Sequence, residues 1–289
     1  MQNVYEQVSA NKTRSFFIVF LFIAFITLAV YLVSFSFDLG SQYIFYAFSF
    51  STASAFVSYF SGDKIILALN QAKPVDRQEF FDFYTVTENL ASTSQLPIPK
   101  IYVIDSASPN AFATGRDPKH ASICATTGLL QKLNRSELEA VIAHELSHIK
   151  NYDTRLMMIV SLLIGTLSIL TRNSFYGHSR KKSESSGILA LVGLFFLIFS
   201  PLVAKLIQLA ISRRREYLAD ALAVKTTRQP QALIDALQKI SQDPNILESA
   251  SPATASLYIE NPFKNQKLSS LFSTHPPLEK RITTLKQML

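Results

Sequence analysis

Ser136-Glu137-Leu138-Glu139-Ala140-Val141-Ile142-Ala143-His144-Glu145-Leu146-Ser147-His148 is the most informative run in the chain, and the rest is read outward from it. Ser136 followed three residues later by Glu139 has the capping-box pattern, which predicts a helix starting at about Glu137. Val141, Ile142, Leu146 and Ile149 make that helix amphipathic. His144 and His148 are four residues apart, so both imidazoles project from one side. Two neutral imidazoles so placed can bind one zinc ion. Glu145 can then reach a water on that ion and act as general base. With five histidines and eleven glutamates in 289 residues, chance supplies this spacing only about 0.003 times.

A catalytic zinc needs a third protein ligand and an open position. The run Arg213-Arg214-Arg215-Glu216-Tyr217-Leu218-Ala219-Asp220 offers one. Glu216 and Asp220 share a helix face, which suits Glu216 as ligand and Asp220 as acceptor for a ligand histidine N–H. The lone cysteine, Cys124, excludes an internal disulfide framework and a cysteine zinc site, leaving histidines and carboxylates. His120 and His178 have no motif partners and are read as structural or solvated.

Only 17% of the residues are charged, against about a quarter in a usual soluble protein. The missing charge is concentrated in four runs. Residues 15–37 and 39–62 are uncharged stretches of 23 and 24 residues. Each exceeds the ~20 helical residues that cross a hydrocarbon core, and 15–37 with 39–60 reads as a hairpin turning near Asp38-Leu39-Gly40-Ser41. The second run is diluted by serines, which suit close helix packing. Residues 156–171 and 187–204 are uncharged runs of 16 and 18 residues, marginal for spanning. Between them lies a basic loop with Arg172, Arg180, Lys181 and Lys182. His148 to Leu156 is ~12 Å of helix and Ala204 to Glu216 is ~18 Å, so these runs lead out of one ligand helix and into the other.

Lys12 and Arg14 precede the first hairpin, Lys64, Lys73 and Arg77 follow it, and its turn carries no cation. The positive-inside rule then places the N-terminus and the chain after residue 60 in the cytoplasm. A crossing hairpin over 156–204 would put the basic loop outside, against that rule, so the sequence leaves its course open. Between the apolar runs the pattern predicts a helix over 76–91, a break at Leu96-Pro97-Ile98-Pro99, strands over 100–104, 110–114 and 121–126, and a short helix over 127–133. The net charge of +7 raises nucleic acid or an anionic surface as partner. Residues 61–155 carry ten Lys/Arg against eleven Asp/Glu, so there is no basic field there and no nucleic-acid partner is expected. The excess sits in 205–289 and in the basic loop, as membrane-proximal charge.

His144–His148 followed by Ile149-Lys150-Asn151-Tyr152-Asp153, the Arg-x-x-Glu-Tyr-x-Ala-Asp run at 213–220, and Ser273-Thr274-His275-Pro276-Pro277 together resemble the HtpX family of membrane zinc metallopeptidases. The scheme is more distantly similar to the CAAX prenyl endopeptidases. The four apolar runs match the HtpX layout, so the resemblance covers nearly the whole chain. It implies a predominantly α membrane protein, with an α+β gluzincin-like zinc protease domain on transmembrane helices. The implied division is 1–62, an N-terminal transmembrane hairpin; 63–155, the first part of the protease domain; 156–204, a membrane-associated hairpin with the basic loop 172–187; and 205–289, the second part with the third ligand. The implied setting is a multi-pass protein of the plasma membrane whose protease domain faces the cytoplasm and cleaves damaged or misfolded membrane proteins in a stress response.

The resemblance also assigns roles. One Zn2+ per chain is held by His144, His148 and Glu216, with Glu145 as catalytic base and Asp220 behind the ligands. His275 stabilises the oxyanion or binds substrate. Pro109-Asn110-Ala111-Phe112-Ala113 resembles an edge strand on which Asn110 and Ala111 meet substrate backbone. The implied partners are polypeptide substrates and the bilayer, with the oligomeric state open. The rival reading is a non-catalytic membrane adaptor retaining a structural zinc. Structural sites are closed by four protein ligands, whereas three ligands beside Glu145 favour an open, catalytic one.

Overall fold

Two long helices lead the chain: α1 (Val4–Ser36) and α2 (Gln42–Leu69). They belong to a computed structural model that describes residues 4–36, 40–176, 214–251, 253–263 and 276–288. Ile18, Phe22, Ile26 and Ala29 form the buried stripe of α1, three or four residues apart. The buried stripe of α2 is small: Ala47, Ser51, Ala55, Ser58 and Gly62. Small residues on one helix let its partners approach closely. At Gly62 a Cβ would stand 2.9 Å from the side chains of Met158 and Leu162, so any larger residue would have to displace them. Both of those residues lie on α6 (Asp153–Tyr176), which packs against α1 and α2.

The other sides of α1 and α2 are apolar and exposed. Phe16, Phe17, Phe20 and Phe35 project from α1, and Phe45, Phe48 and Phe56 from α2. Among the described residues one helix, over Val8–Leu32, is long and apolar enough to cross a membrane. Five serines with Asp63 and Lys64 dilute α2. α6 extends to Tyr176, five residues into the stretch expected as loop. The apolar run 187–204, the rest of the basic loop and His275 lie outside the described residues.

The three expected strands form, as β2 (Lys100–Ile104), β3 (Ala111–Gly115) and β4 (Ala121–Thr126). A two-residue strand, β1 (Lys73–Pro74), joins them in the order β1-β2-β4-β3. β2 and β4 run parallel, and the other pairs are antiparallel. Gly115 ends β3 at φ +134°, where a Cβ would lie 2.3 Å from the His120 carbonyl oxygen. The expected helix 76–91 is shorter at its start: α3 is Phe81–Thr93, because the Asp76 carboxylate accepts the Gln78 N–H and holds a turn before it.

Alternation along the strands gives the sheet two apolar faces. Ala111, Ala113, Ile123 and Ala125 join the core of α3 and α5 (Arg135–Lys150). Phe112 and Cys124 join the core of α1, α2 and α6. The sheet thus lies between the helix that carries the His-Glu-x-x-His motif and the long apolar helices. After β4 come α4 (Thr127–Lys132) and α5, then α6, α7 (Arg214–Thr227), α8 (Pro230–Gln242) and α9 (Leu278–Lys286).

α5 starts two residues earlier than its sequence pattern predicts. Asn134 is its N-cap: the Asn134 side chain accepts the Glu137 N–H at 3.0 Å, and Glu137 accepts the Asn134 N–H at 2.9 Å. Lys239 on α8 also donates to Glu137 at 2.8 Å, a tertiary contact that favours this box over the one beginning at Ser136. Every residue from 140 to 149 is buried, because α3, α7, α8 and the sheet surround the helix. The expected amphipathic helix is therefore covered on all sides, and its two histidines are interior groups.

Candidate active site

The crossing of α5 and α7 brings His144, His148 and Glu216 together, with one donor atom from each within 4.8 Å of the others. The two Nε2 atoms are 3.1 Å apart. Glu216 places Oε2 3.6 Å from His144 Nε2 and Oε1 3.7 Å from His148 Nε2. All three residues are buried. Glu145, also buried, follows His144 by one residue on α5.

Each histidine is held from behind by a carboxylate. His144 Nδ1 lies 2.9 Å from Asp220 Oδ1, and His148 Nδ1 lies 3.0 Å from Asp153 Oδ2 at the start of α6. An Nδ1–H donated to carboxylate leaves the Nε2 lone pair directed at the shared point. Arg281 on α9 clamps Asp220 with two bonds, Nε to Oδ2 at 2.9 Å and Nη2 to Oδ1 at 2.6 Å. Its Nη1 is 3.6 Å from Glu216 Oε2. Burial opposes ionisation of Asp220, but the Arg281 charge and the His144 hydrogen bond outweigh it and hold the carboxyl at about 2. Arg215 donates to Asp153 Oδ1 at 3.2 Å.

The donor set fits a metal ion. Ligands about 2.0–2.2 Å from a tetrahedral ion stand roughly 3.3–3.6 Å apart, and the separations here bracket that range. The charge fits too. Glu145, Asp153, Glu216 and Asp220 are four buried carboxylates facing two buried guanidiniums, Arg215 and Arg281. So many acidic groups in so dry a place suit a divalent cation, which would balance their charge.

The expected site residues are thus brought together with three exceptions. Asn110 and Ala111 already bind the chain itself: Asn110 Nδ2 donates to the Glu260 carbonyl at 2.9 Å, and the Ala111 carbonyl accepts the Ile259 N–H at 3.0 Å. His275 lies outside the described residues, three positions before α9. Sequence reasoning missed Asp153 and Arg281; Arg215, in a run of three arginines suited to the membrane surface or to salt bridges, pairs with Asp153. Asp153 had a visible signal in its place five residues after His148. Arg281 had none, since 137 residues separate it from His144.

The profile of Peptidase family M48 matches residues 78–289. A protein named Protease HtpX homolog from Dictyoglomus turgidum is 42% identical over 287 residues, covering 98% of this chain and 94% of that protein. A Protease HtpX homolog from Streptococcus uberis is 40% identical over 299 residues, covering 99% and 100%. Among solved structures, the crystal structure of S. mikatae Ste24p aligns with a TM-score of 0.51 at 24% identity, over 93% of this chain and 62% of that one, which is a likeness of fold. The chain is therefore a metallopeptidase, a membrane-associated hydrolase of peptide bonds. It belongs to Peptidase family M48.

Proposed function

We propose that the chain is a zinc endopeptidase of the plasma membrane that cleaves damaged or misfolded membrane proteins from the cytoplasmic side. The observation that carries the zinc reading is the convergence of His144 Nε2, His148 Nε2 and the Glu216 carboxylate, with both Nδ1 atoms held by carboxylates. Two imidazoles and one carboxylate are a common catalytic zinc set. Bound there, zinc polarises a peptide carbonyl and makes water acidic enough to attack it at neutral pH.

The protein's own groups supply the rest. Glu145 takes the proton of the attacking water and delivers it to the leaving amine. Asp220 and Asp153 fix the histidine tautomers, and Arg281 keeps Asp220 ionised. His275 is assigned to the oxyanion or to the substrate. β3 is the outer strand of the sheet, so an extended polypeptide adds along its edge; at Asn110 and Ala111 it replaces the bonds now made by Glu260 and Ile259. The outward phenylalanines of α1 and α2 support a bilayer around them, and the relatives named Protease HtpX homolog support cleavage of peptide bonds. In this reading residues 1–62 and 156–204 form two membrane hairpins, and 63–155 with 205–289 form the protease.

The test is incubation of the full chain in detergent with an unfolded membrane protein. Cleavage that a chelator stops and zinc restores is expected. Cleavage that continues without metal would overturn the proposal, and bound zinc without cleavage would favour the adaptor. For orientation, a cysteine at Gly177 in a Cys124→Ser background is labelled from outside intact cells only if 156–204 crosses the bilayer.

A further inference from the structure

Asn11 lies near the start of α1, four residues before its uncharged run, and is 0% exposed. Anchoring alone needs no amide there, and a buried amide is unfavourable unless its hydrogen bonds are made. Asn11 Nδ2 makes two: to Asp153 Oδ1 at 2.7 Å and to the Asn151 carbonyl at 2.9 Å. Both acceptors are oxygens, which fixes the amide orientation. The neighbouring Lys12 sets its ammonium 4.4 Å from the centre of the Tyr152 ring, and Tyr152 has φ +60°. The start of α1 therefore clamps the corner at residues 151–153, where the chain turns by 81° between α5 and α6.

That corner carries two parts of the metal site. Asn151 is the C-cap of α5, three residues after His148. Asp153 gives its other oxygen, Oδ2, to His148 Nδ1 at 3.0 Å. Two donors hold Oδ1 in place, Asn11 and Arg215. Arg215 sits beside Glu216 on α7 and moves with that ligand. Asn11 is the donor that ties Asp153 to the span helix.

We propose that Asn11 is a positioning residue of the metal centre. Through Asp153 it holds the ring of His148, so α1 is a working part of the active site as well as its anchor. The inference rests on His148 being a metal ligand and goes beyond it in assigning a role to the span helix.

The experiment measures metal affinity of the full chain in detergent by chelator competition, using zinc and cobalt(II), for wild type, Asn11→Ala, Asn11→Leu, Asp153→Ala and the double variant Asn11→Ala/Asp153→Ala. The melting temperature of each metal-free protein is recorded beside it. Partners behind a metal ligand typically change affinity 10–100-fold, so a loss of about 10-fold is expected for Asn11→Ala. Asn11→Leu keeps the buried volume and is expected to weaken metal binding similarly while melting near the wild-type temperature. The absorption of bound cobalt(II) shifts in both. In the double variant the Asn11 effect largely disappears, because Asp153, through which it acts, is gone. Should Asp153→Ala not fold, Asp153→Leu, which fills the space and lacks both oxygens, takes its place. Wild-type affinity in both Asn11 variants, or losses that simply multiply in the double variant, would overturn the inference. A wild-type chain that binds no metal would instead overturn the metal-site reading beneath it.

Discussion

His144 Nδ1 lies 2.9 Å from Asp220 Oδ1, while Arg281 clamps both oxygens of Asp220, its Nη2 sharing Oδ1 with the imidazole. The carboxylate therefore has two tasks: it orients a ligand and it neutralises a buried guanidinium. Replacing Asp220 with Asn keeps the shape but removes the charge. Metal affinity is expected to fall about 10–100-fold by chelator competition. Unchanged affinity would mean that the bond to His144 does not shape the site.

Arg281 is expected to matter before any metal binds. Arg281→Met leaves Asp220 and Glu216 as buried carboxylates without their cation, and breaking such a pair costs about 3–5 kcal/mol. Arg281→Lys keeps the charge but loses the two-bond clamp, so its loss should fall between wild type and Met. Denaturant unfolding of the metal-free protein in detergent gives the order.

Metal removal tests the same cluster from the other side. A divalent ion present at 1,000 times its dissociation constant stabilises the folded state by about 4 kcal/mol. Chelation is therefore expected to lower the melting temperature of wild type. In His148→Ala, where a ligand is missing, the chelator should produce a much smaller shift.

The start of α5 is a separate prediction. Asn134→Ala removes the N-cap acceptor and is expected to destabilise the protein by about 1 kcal/mol. Ser136→Ala, at the start of the box that the structure does not use, should be nearly neutral. The reverse order in denaturant unfolding would restore the later start.

Gly62→Val probes the seat of α2 on α6. The added methyl groups meet Met158 and Leu162, and overpacking of this kind costs about 1–3 kcal/mol. A lower melting temperature in detergent is expected, with the metal affinity of the folded fraction kept.

The legible parts of this chain were those set by local periodicity. His144 and His148 share a face because of helix geometry, and Glu216 and Asp220 do so for the same reason. The three main strands stand out between Pro- and Gly-containing breaks. What local pattern does not carry is partnership across distance. Arg281 and Asp220 are 61 residues apart, and Asn11 and Asp153 are 142 apart. Neither pair shows in any window of sequence. The cap of α5 was misplaced for a related reason: Asn134-x-x-Glu137 and Ser136-x-x-Glu139 satisfy the same pattern, and the choice depends on Lys239, 102 residues from Glu137. β1 was invisible because two residues, one of them Pro74, form no pattern at all.

The most direct test of the account is a paired measurement on Glu145→Gln: zinc content per chain and the rate of cleavage of an unfolded membrane protein. Gln keeps the shape and lacks the base, so about one zinc per chain is expected to remain while cleavage falls by roughly 10²–10⁴-fold. A Glu145→Gln variant that holds its zinc and still cleaves at the wild-type rate would contradict the assignment of Glu145 as the base on which the mechanism turns.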